Sequence, residues 1–200
     1  MTHEDLKEVL VEHIKDLYDA EKQIVKALPK LAKIVESEEL SEALTSHLEE
    51  TKAQVSRLEK VFGLLDVQPK GKTCKGMKGL LEEGSEVAEE EEGVMRDLAI
   101  IAAAQKVEHY EISAYGTART LAEKLNLSEA AELLQQTEEE EAQADETLTN
   151  VAMSLYKLDD ESEEDEEMSA EESQPATAGT RSAAGGRSST ASGRSQKPTR

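Results

Sequence analysis

LAIIAAAQKVEHYEISAYGTARTLAE, residues 98–123, is a long helical stretch with acidic residues near its middle. Its inward positions recur at steps of three and four residues, which is the spacing of one face of an α-helix. That face reads Leu98, Ile101, Gln105, Glu108, Ile112 and Tyr115, with Glu111 one turn beyond Glu108. A buried carboxylate is costly unless it is paired, neutralised or bound to a metal. This stretch therefore predicts a core helix with a polar layer that needs a partner.

The rest of the chain shows the same helical spacing, and an all-α fold follows from it. Leu, Ala, Glu and Lys dominate, whereas Pro is 4 of 200 residues and aromatic residues are 2%. We predict long helices from about His3 behind a Thr2 cap to Val35, Glu38 behind Ser37 to Leu65, Glu92 to Leu125, and Ser128 to Lys157. Pro29 should kink or shorten the first helix, because proline removes an interior hydrogen bond.

The connections between these helices differ in length. About thirty residues join the second and third long helices and include a short acidic helix at residues 77–91, whereas the other two connections are short turns. A single long crossover lets the second and third helices run parallel, as in ferritin-like antiparallel four-helix bundles.

Each of the other long helices also interrupts its apolar face near the middle. The interruptions are Glu21 in the first helix, His47 with Glu50 beside it in the second, and Glu141 with Asp145 in the fourth. At ~1.5 Å per residue these positions lie roughly 10–20 Å from a helix end, so antiparallel packing brings them to one height. A single such residue is usually solvated or hydrogen-bonded, but four helices with the same feature need a shared explanation. A bound pair of cations supplies it.

Charge and composition exclude several classes of protein. The formal net charge of -21 argues against a nucleic-acid surface on the folded domain, because phosphate would be repelled. The single cysteine, Cys74, excludes an internal disulfide and a cysteine-based zinc cluster. No stretch reaches the ~18 apolar residues of a membrane span, and the first residues carry acids where a secretory signal carries Lys or Arg. We expect a cytoplasmic protein that makes no membrane contact.

The carboxyl-terminal segment differs in composition from the helices. Residues 159–172 hold ten acids in fourteen positions, and residues 173–200 contain basic residues but no acid. Such segments lack apolar surface to bury. We therefore predict a folded domain at residues 1–158 and a disordered tail at residues 159–200. The basic end either solubilises the chain passively, which we favour, or contacts an anionic partner.

Several sequence blocks occur in the order found in a known family. They are LYDAEKQIVKALPKLAK (17–33), HLEETKAQVSRLE (47–59), KGMKGLLEEG (75–84), IAAAQKVEHYEISAYGTARTLAE (101–123) and LLQQTEEEEAQADETL (133–148). Over residues 4–157 the chain resembles the ferritin-like YciE/YciF stress-protein family. The resemblance implies a homodimer of ferritin-like domains, a role in bacterial stress responses, and a dinuclear metal site. The matching candidate ligands are Glu21, His47, Glu50, Glu108, Glu111, Glu141 and Asp145.

The candidate ligands depart from the common ferritin-like motif, in which a histidine follows a glutamate by three residues. Here His47 precedes Glu50, and the fourth helix has no histidine. A carboxylate-rich set suits hard cations such as manganese or iron and weakens the case for oxygen activation. The leading hypothesis is a metal-binding stress protein that acts on peroxide or dioxygen, with Glu21, Glu50, Glu108 and Glu141 as primary ligands. The alternative is a non-catalytic structural or interaction protein whose polar layer fixes the bundle or holds a structural cation.

Overall fold

The computed structural model describes residues 2–90 and 92–172. Its helices are α1 (His3–Leu31), α2 (Glu38–Leu64), α3 (Lys75–Glu90), α4 (Gly93–Lys124) and α5 (Ser128–Glu172). These residues contain no β-strand, so the all-α prediction is confirmed. No helix among them is both long enough and apolar enough to cross a membrane.

Local sequence signals set the helix ends. The Thr2 amide donates to Asp5 Oδ2 (2.6 Å) and the Asp5 amide donates to Thr2 Oγ1 (3.1 Å), which forms a capping box at the start of α1. α1 ends at Leu31, shortly after Pro29 and four residues before the predicted end. After α2 and α4, Asp66 and Asn126 adopt left-handed φ angles of 59° and 57°. Such residues close helices, because their short polar side chains tolerate this conformation.

The core consists of two apolar clusters at opposite ends of the bundle. The first cluster joins the amino-terminal halves of α1 and α5 to the carboxyl-terminal halves of α2 and α4, around Phe62 and Tyr115. The second joins the other half of each long helix, around Ile24, Leu44 and Ile101. α2 and α4 therefore run parallel to each other and antiparallel to α1 and α5. The predicted crossover topology of a ferritin-like bundle is confirmed.

The crossover is held against α1 where α3 begins. The Cys74 amide donates to Asp19 Oδ2 (2.9 Å), and Gln23 Nε2 donates to the Cys74 carbonyl (3.2 Å). The Cys74 thiol is buried and lies 3.0 Å from the Tyr110 hydroxyl of α4. α3 thus starts at Lys75, two residues before its predicted start.

α5 is longer than predicted. The sequence pattern places its end near Lys157, but the helix continues to Glu172 through the acidic run. Glu and Ala are good helix formers, and adding residues to an existing helix avoids the cost of nucleation. The acidic run therefore forms a helix although it has too few apolar residues to pack into a core. The predicted tail beyond residue 172 lies outside the described residues.

Candidate metal centre

A polar layer lies between the two apolar clusters and receives side chains from all four long helices. Its members are Glu21 from α1, His47 from α2, Glu108 and Glu111 from α4, and Glu141 from α5. Their exposed fractions are 0, 7, 3, 1 and 0%, so all five lie in the protein interior. We refer to these five residues as the acidic layer.

Four members of the acidic layer form a tight group. Single donor atoms of His47, Glu108, Glu111 and Glu141 all lie within 4.8 Å of one another. His47 Nε2 lies 3.5 Å from Glu108 Oε1 and 3.8 Å from Glu141 Oε2. These separations suit donors to a common cation, since two ligands at ~2.1 Å on opposite sides of an ion lie ~4.2 Å apart. The geometry therefore fits a metal ion without large movement of the helices.

Glu21 extends the layer beyond the tight group. Its Oε1 accepts a hydrogen bond from the Tyr115 hydroxyl, whereas its Oε2 is buried and has no hydrogen-bond partner among the residues that the structure describes. Burial raises the pKa of Glu21, and the charge of Glu141 raises it further. Tyr115 therefore fixes the orientation of Glu21 and leaves one of its oxygens available to a ligand.

Most donor atoms of the acidic layer lack hydrogen-bond partners. In the part of the chain that the structure describes, these buried atoms are Glu21 Oε2, both His47 ring nitrogens, Glu108 Oε2, and both oxygens of Glu111 and of Glu141. Buried polar atoms in proteins are hydrogen-bonded in the large majority of cases. A cluster of unpartnered oxygens and imidazole nitrogens is the donor set that iron and manganese accept.

The ionised acidic layer would carry a large negative charge that bound cations could neutralise. Burial is the main cause that raises the pKa of Glu108, Glu111 and Glu141, and repulsion between neighbouring carboxylates adds to it in Glu108 and Glu111. Together with Glu21, these carboxylates carry a charge of about −4 when ionised. Two divalent cations would neutralise that charge, whereas without them the layer must hold protons.

A second polar group joins α2 to α5 beside the acidic layer. Arg57 donates from Nη1 and Nη2 to the two oxygens of Glu140 (2.7 and 2.8 Å) and from Nη1 to Thr137 Oγ1 (2.6 Å). Gln54 Nε2 also donates to Glu140 (3.2 Å). Although burial opposes it, the bonds from Arg57 lower the pKa of Glu140. Sequence reasoning missed this network, because pairing Arg57 with one acid of the run at 138–141 requires the packed positions of both helices.

The two remaining predicted ligands lie outside the acidic layer. The Glu50 side chain is 50% exposed, and its Oε2 lies 3.7 Å from His47 Nδ1. The Asp145 side chain is 23% exposed and accepts a hydrogen bond from Gln105 Nε2 (3.0 Å). In the packed bundle both side chains lie at the edge of the buried face of their helices, which leaves Glu50 exposed and Asp145 partly exposed.

Two clefts lie near these residues. A narrow cleft of about 100 Å³ between α2 and α5 is bordered by His47, Glu50 and Glu108. A larger cleft of about 620 Å³ lies between α1, α3 and α4, and no member of the acidic layer lines it. Of these two clefts, the small one is therefore the one that reaches the candidate metal centre.

Several known proteins are similar to this chain in fold and sequence. The model of a family described as a domain of unknown function, DUF892, matches residues 5–160. Protein YciF of Escherichia coli K12 is 46% identical over 155 residues, which is 76% of this chain and 93% of YciF. The crystal structure of the E. coli stress protein YciF matches with a TM-score of 0.74 and 45% identity, over 76% of this chain and 97% of that chain.

Two further solved structures match. YcfI of Rhodopseudomonas palustris, described as a proposed structural protein, has a TM-score of 0.70 and 42% identity, over 74% of this chain and 94% of that chain. A protein from Xanthomonas campestris has a TM-score of 0.61 at 21% identity, over 80% of this chain and 99% of that chain, which supports the fold alone. Family match and identity together show that this chain belongs to the DUF892 family, that of the YciF stress protein.

Proposed function

We propose that the acidic layer binds two divalent cations, iron or manganese, and that the chain is a metal-binding stress protein. The observation that carries this proposal is a set of eight buried donor atoms from four glutamates and one histidine, for which the described residues provide no hydrogen-bond partner. Two divalent cations satisfy these donors and neutralise the carboxylates together.

The residues have separate tasks in this proposal. Glu21, His47, Glu108, Glu111 and Glu141 hold the ions, and Tyr115 orients Glu21 through its hydrogen bond. When bound, such ions supply redox chemistry toward peroxide or dioxygen. The apolar clusters close off the layer toward the two ends of the bundle. We place this activity in the cytoplasm, in a homodimer, as part of a stress response of the kind for which E. coli YciF is described.

The alternative is a bundle whose polar layer has only a structural role. The description of the R. palustris relative as a proposed structural protein favours it. In that case the layer sets the register of the helices, and the carboxyls remain protonated rather than bound to metal. The two functions differ in metal content, which makes them separable by direct analysis.

Metal analysis of protein purified without chelator tests the proposal. We expect two equivalents of iron or manganese per chain, and sharply lower content in Glu21→Gln, Glu108→Gln and Glu141→Gln, since each change removes one anionic donor of similar shape. Glu139→Gln is the matched control, because Glu139 is exposed on α5 and bonds only to Gln135 among the described contacts.

Two results would contradict the proposal. Equal loss in the control and in the buried variants would indicate diffuse binding to an acidic surface. A wild-type chain that retains no ion after reconstitution with Mn²⁺ or Fe²⁺ would favour the structural alternative.

A further inference from the structure

The narrow cleft between α2 and α5 joins exposed residues to the interior. Its outer border includes Ser46, Glu50 and Thr147, which are exposed, and its inner border includes His47 and Glu108, which are buried. The volume of about 100 Å³ is well above the ~10–15 Å³ that one water molecule needs. The cleft is therefore large enough to admit a partly hydrated metal ion.

His47 stands between an exposed carboxylate and a buried one. Its Nδ1 lies 3.7 Å from Glu50 Oε2 on the solvent side, and its Nε2 lies 3.5 Å from Glu108 Oε1 on the inner side. Neither ring nitrogen has a hydrogen-bond partner among residues 2–90 and 92–172, although His47 is only 7% exposed. Glu50, His47 and Glu108 therefore form a series of metal-binding side chains from solvent to the acidic layer, and neighbouring donor atoms of successive residues are less than 4 Å apart.

Glu50 is poorly placed to be a permanent ligand. Half of its side chain is exposed, and it does not belong to the tight group of four donors. An exposed carboxylate next to a buried acidic site raises the local concentration of cations and speeds their association. Its position at the mouth of the cleft suits capture rather than retention.

We propose that this cleft is the access path for divalent cations, and that Glu50 captures each ion at the mouth and transfers it to His47. The inference rests on the proposed function, since it assigns a route to the same metal site. Small side chains keep the path open, because Ala43 and Ala144 lie on its opposite walls. The transfer changes ligands only and involves no redox step.

The rate of metal uptake tests this path separately from the capacity of the site. Metal-free protein is mixed with Mn²⁺ in a stopped-flow instrument, and a fluorescent indicator reports the free ion. We expect Glu50→Gln to slow uptake about tenfold while the final number of bound ions is unchanged. The control is Glu49→Gln, because the neighbouring Glu49 is 69% exposed and pairs with Lys52 (2.6 Å) away from the cleft. It should take up metal at the wild-type rate.

A second variant narrows the path without changing charge. Ala144→Leu places a larger side chain on the α5 wall of the cleft. A barrier on the path acts in both directions, so uptake and chelator-driven release should both slow while stoichiometry is retained. A melting curve of each variant verifies that the bundle is folded.

Each other outcome identifies a different error. If Glu50→Gln lowers the final stoichiometry, Glu50 is a resident ligand and the transfer role is overturned while the metal site stands. If neither variant changes the rates, cations enter elsewhere and the path is overturned. If wild-type protein binds no Mn²⁺, the proposed function fails and the path fails with it.

Discussion

Glu111→Gln should make the metal-free bundle more stable and, at the same time, weaken metal binding. Glu111 is 1% exposed, and neither of its buried carboxyl oxygens has a hydrogen-bond partner in the described part of the chain. Burial is the main cause of its raised pKa, and the charges of Glu21 and Glu141 raise it further. The glutamine keeps the size of the side chain but removes the ionisable group.

The sign of the effect depends on pH. Below the ordinary glutamate pKa of 4.5, Glu111 is protonated in both the folded and the unfolded chain, and it adds no pH dependence. As the pH rises above 4.5, the unfolded chain releases the proton while the folded chain keeps it, so folding becomes less favourable until the raised pKa is passed. The glutamine variant has no proton to retain and does not lose stability in this way. Its higher free energy of unfolding should therefore appear above pH 4.5 and increase toward neutral pH.

The amide of the variant is buried like the carboxyl and keeps the cost of an unsatisfied polar group, so the gain comes only from the proton that the folded wild-type chain must retain. Single substitutions at buried sites typically change the free energy of unfolding by about 1–3 kcal/mol, and we expect a gain of that order. For a chain of this size, ~1 kcal/mol shifts the melting temperature by about 2–4 °C. We expect Glu111→Gln without metal to melt about 2–12 °C above wild type near pH 8, with little difference near pH 4.5.

Thermal melts followed by circular dichroism, in the presence of chelator, measure this difference at several pH values. Glu139→Gln is the matched control, and it should melt with wild type throughout. Metal content of the same samples before chelation should fall in Glu111→Gln only. If the chelated variant melts below wild type near pH 8, the carboxylate stabilises the bundle by itself, and the reasoning from unsatisfied burial is refuted.

Two further predictions use the same layer. Adding Mn²⁺ to chelated wild-type protein should raise its melting temperature more at pH 8 than at pH 5, because metal must displace the protons that the raised pKa values retain; an equal rise at both pH values would show that the buried carboxyls are not the ligands. Tyr115→Phe should lower the free energy of unfolding by about 1–3 kcal/mol, since it removes the hydroxyl that donates to Glu21. Urea unfolding measures this loss, and an unchanged midpoint would show that the hydrogen bond contributes no net stability.

Helix periodicity predicted well which side of a helix is buried, because a regular three- and four-residue spacing marks the side that packs against the bundle interior. The central inward residues that the sequence predicts for α1, α2 and α5, namely Glu21, His47 and Glu141, are all buried. The cap at Thr2 and the breaks after α2 and α4 also fall where the sequence places them. These features are local, because spacing along one helix and the first turn of that helix determine them.

Features that depend on the packing of two chain segments were harder to predict from the sequence. Asp97 is 1% exposed and accepts hydrogen bonds from the backbone amides of Glu36 (3.1 Å) and Ser37 (2.7 Å), which steadies the start of α2. No periodicity within α4 marks it, since the two amides lie about sixty residues away in the chain. The same holds for Glu50, because its exposure depends on how closely α5 approaches α2.

The contrast between two adjacent glutamates bears on the choice between a metal site and a structural layer. Glu140 is paired with Arg57 by two short hydrogen bonds, and those bonds lower its pKa. Within the part of the chain that the structure describes, neither oxygen of Glu141, the next residue, makes a well-formed hydrogen bond, and burial raises its pKa. The Arg57–Glu140 pair already joins α2 to α5 at a defined height, so fixing the register does not require Glu141. A layer kept only for register would be expected to satisfy its acids in the same way. Among the described residues, unpartnered acids from three helices around one histidine are costly for folding alone, and our proposal of two bound cations accounts for that cost.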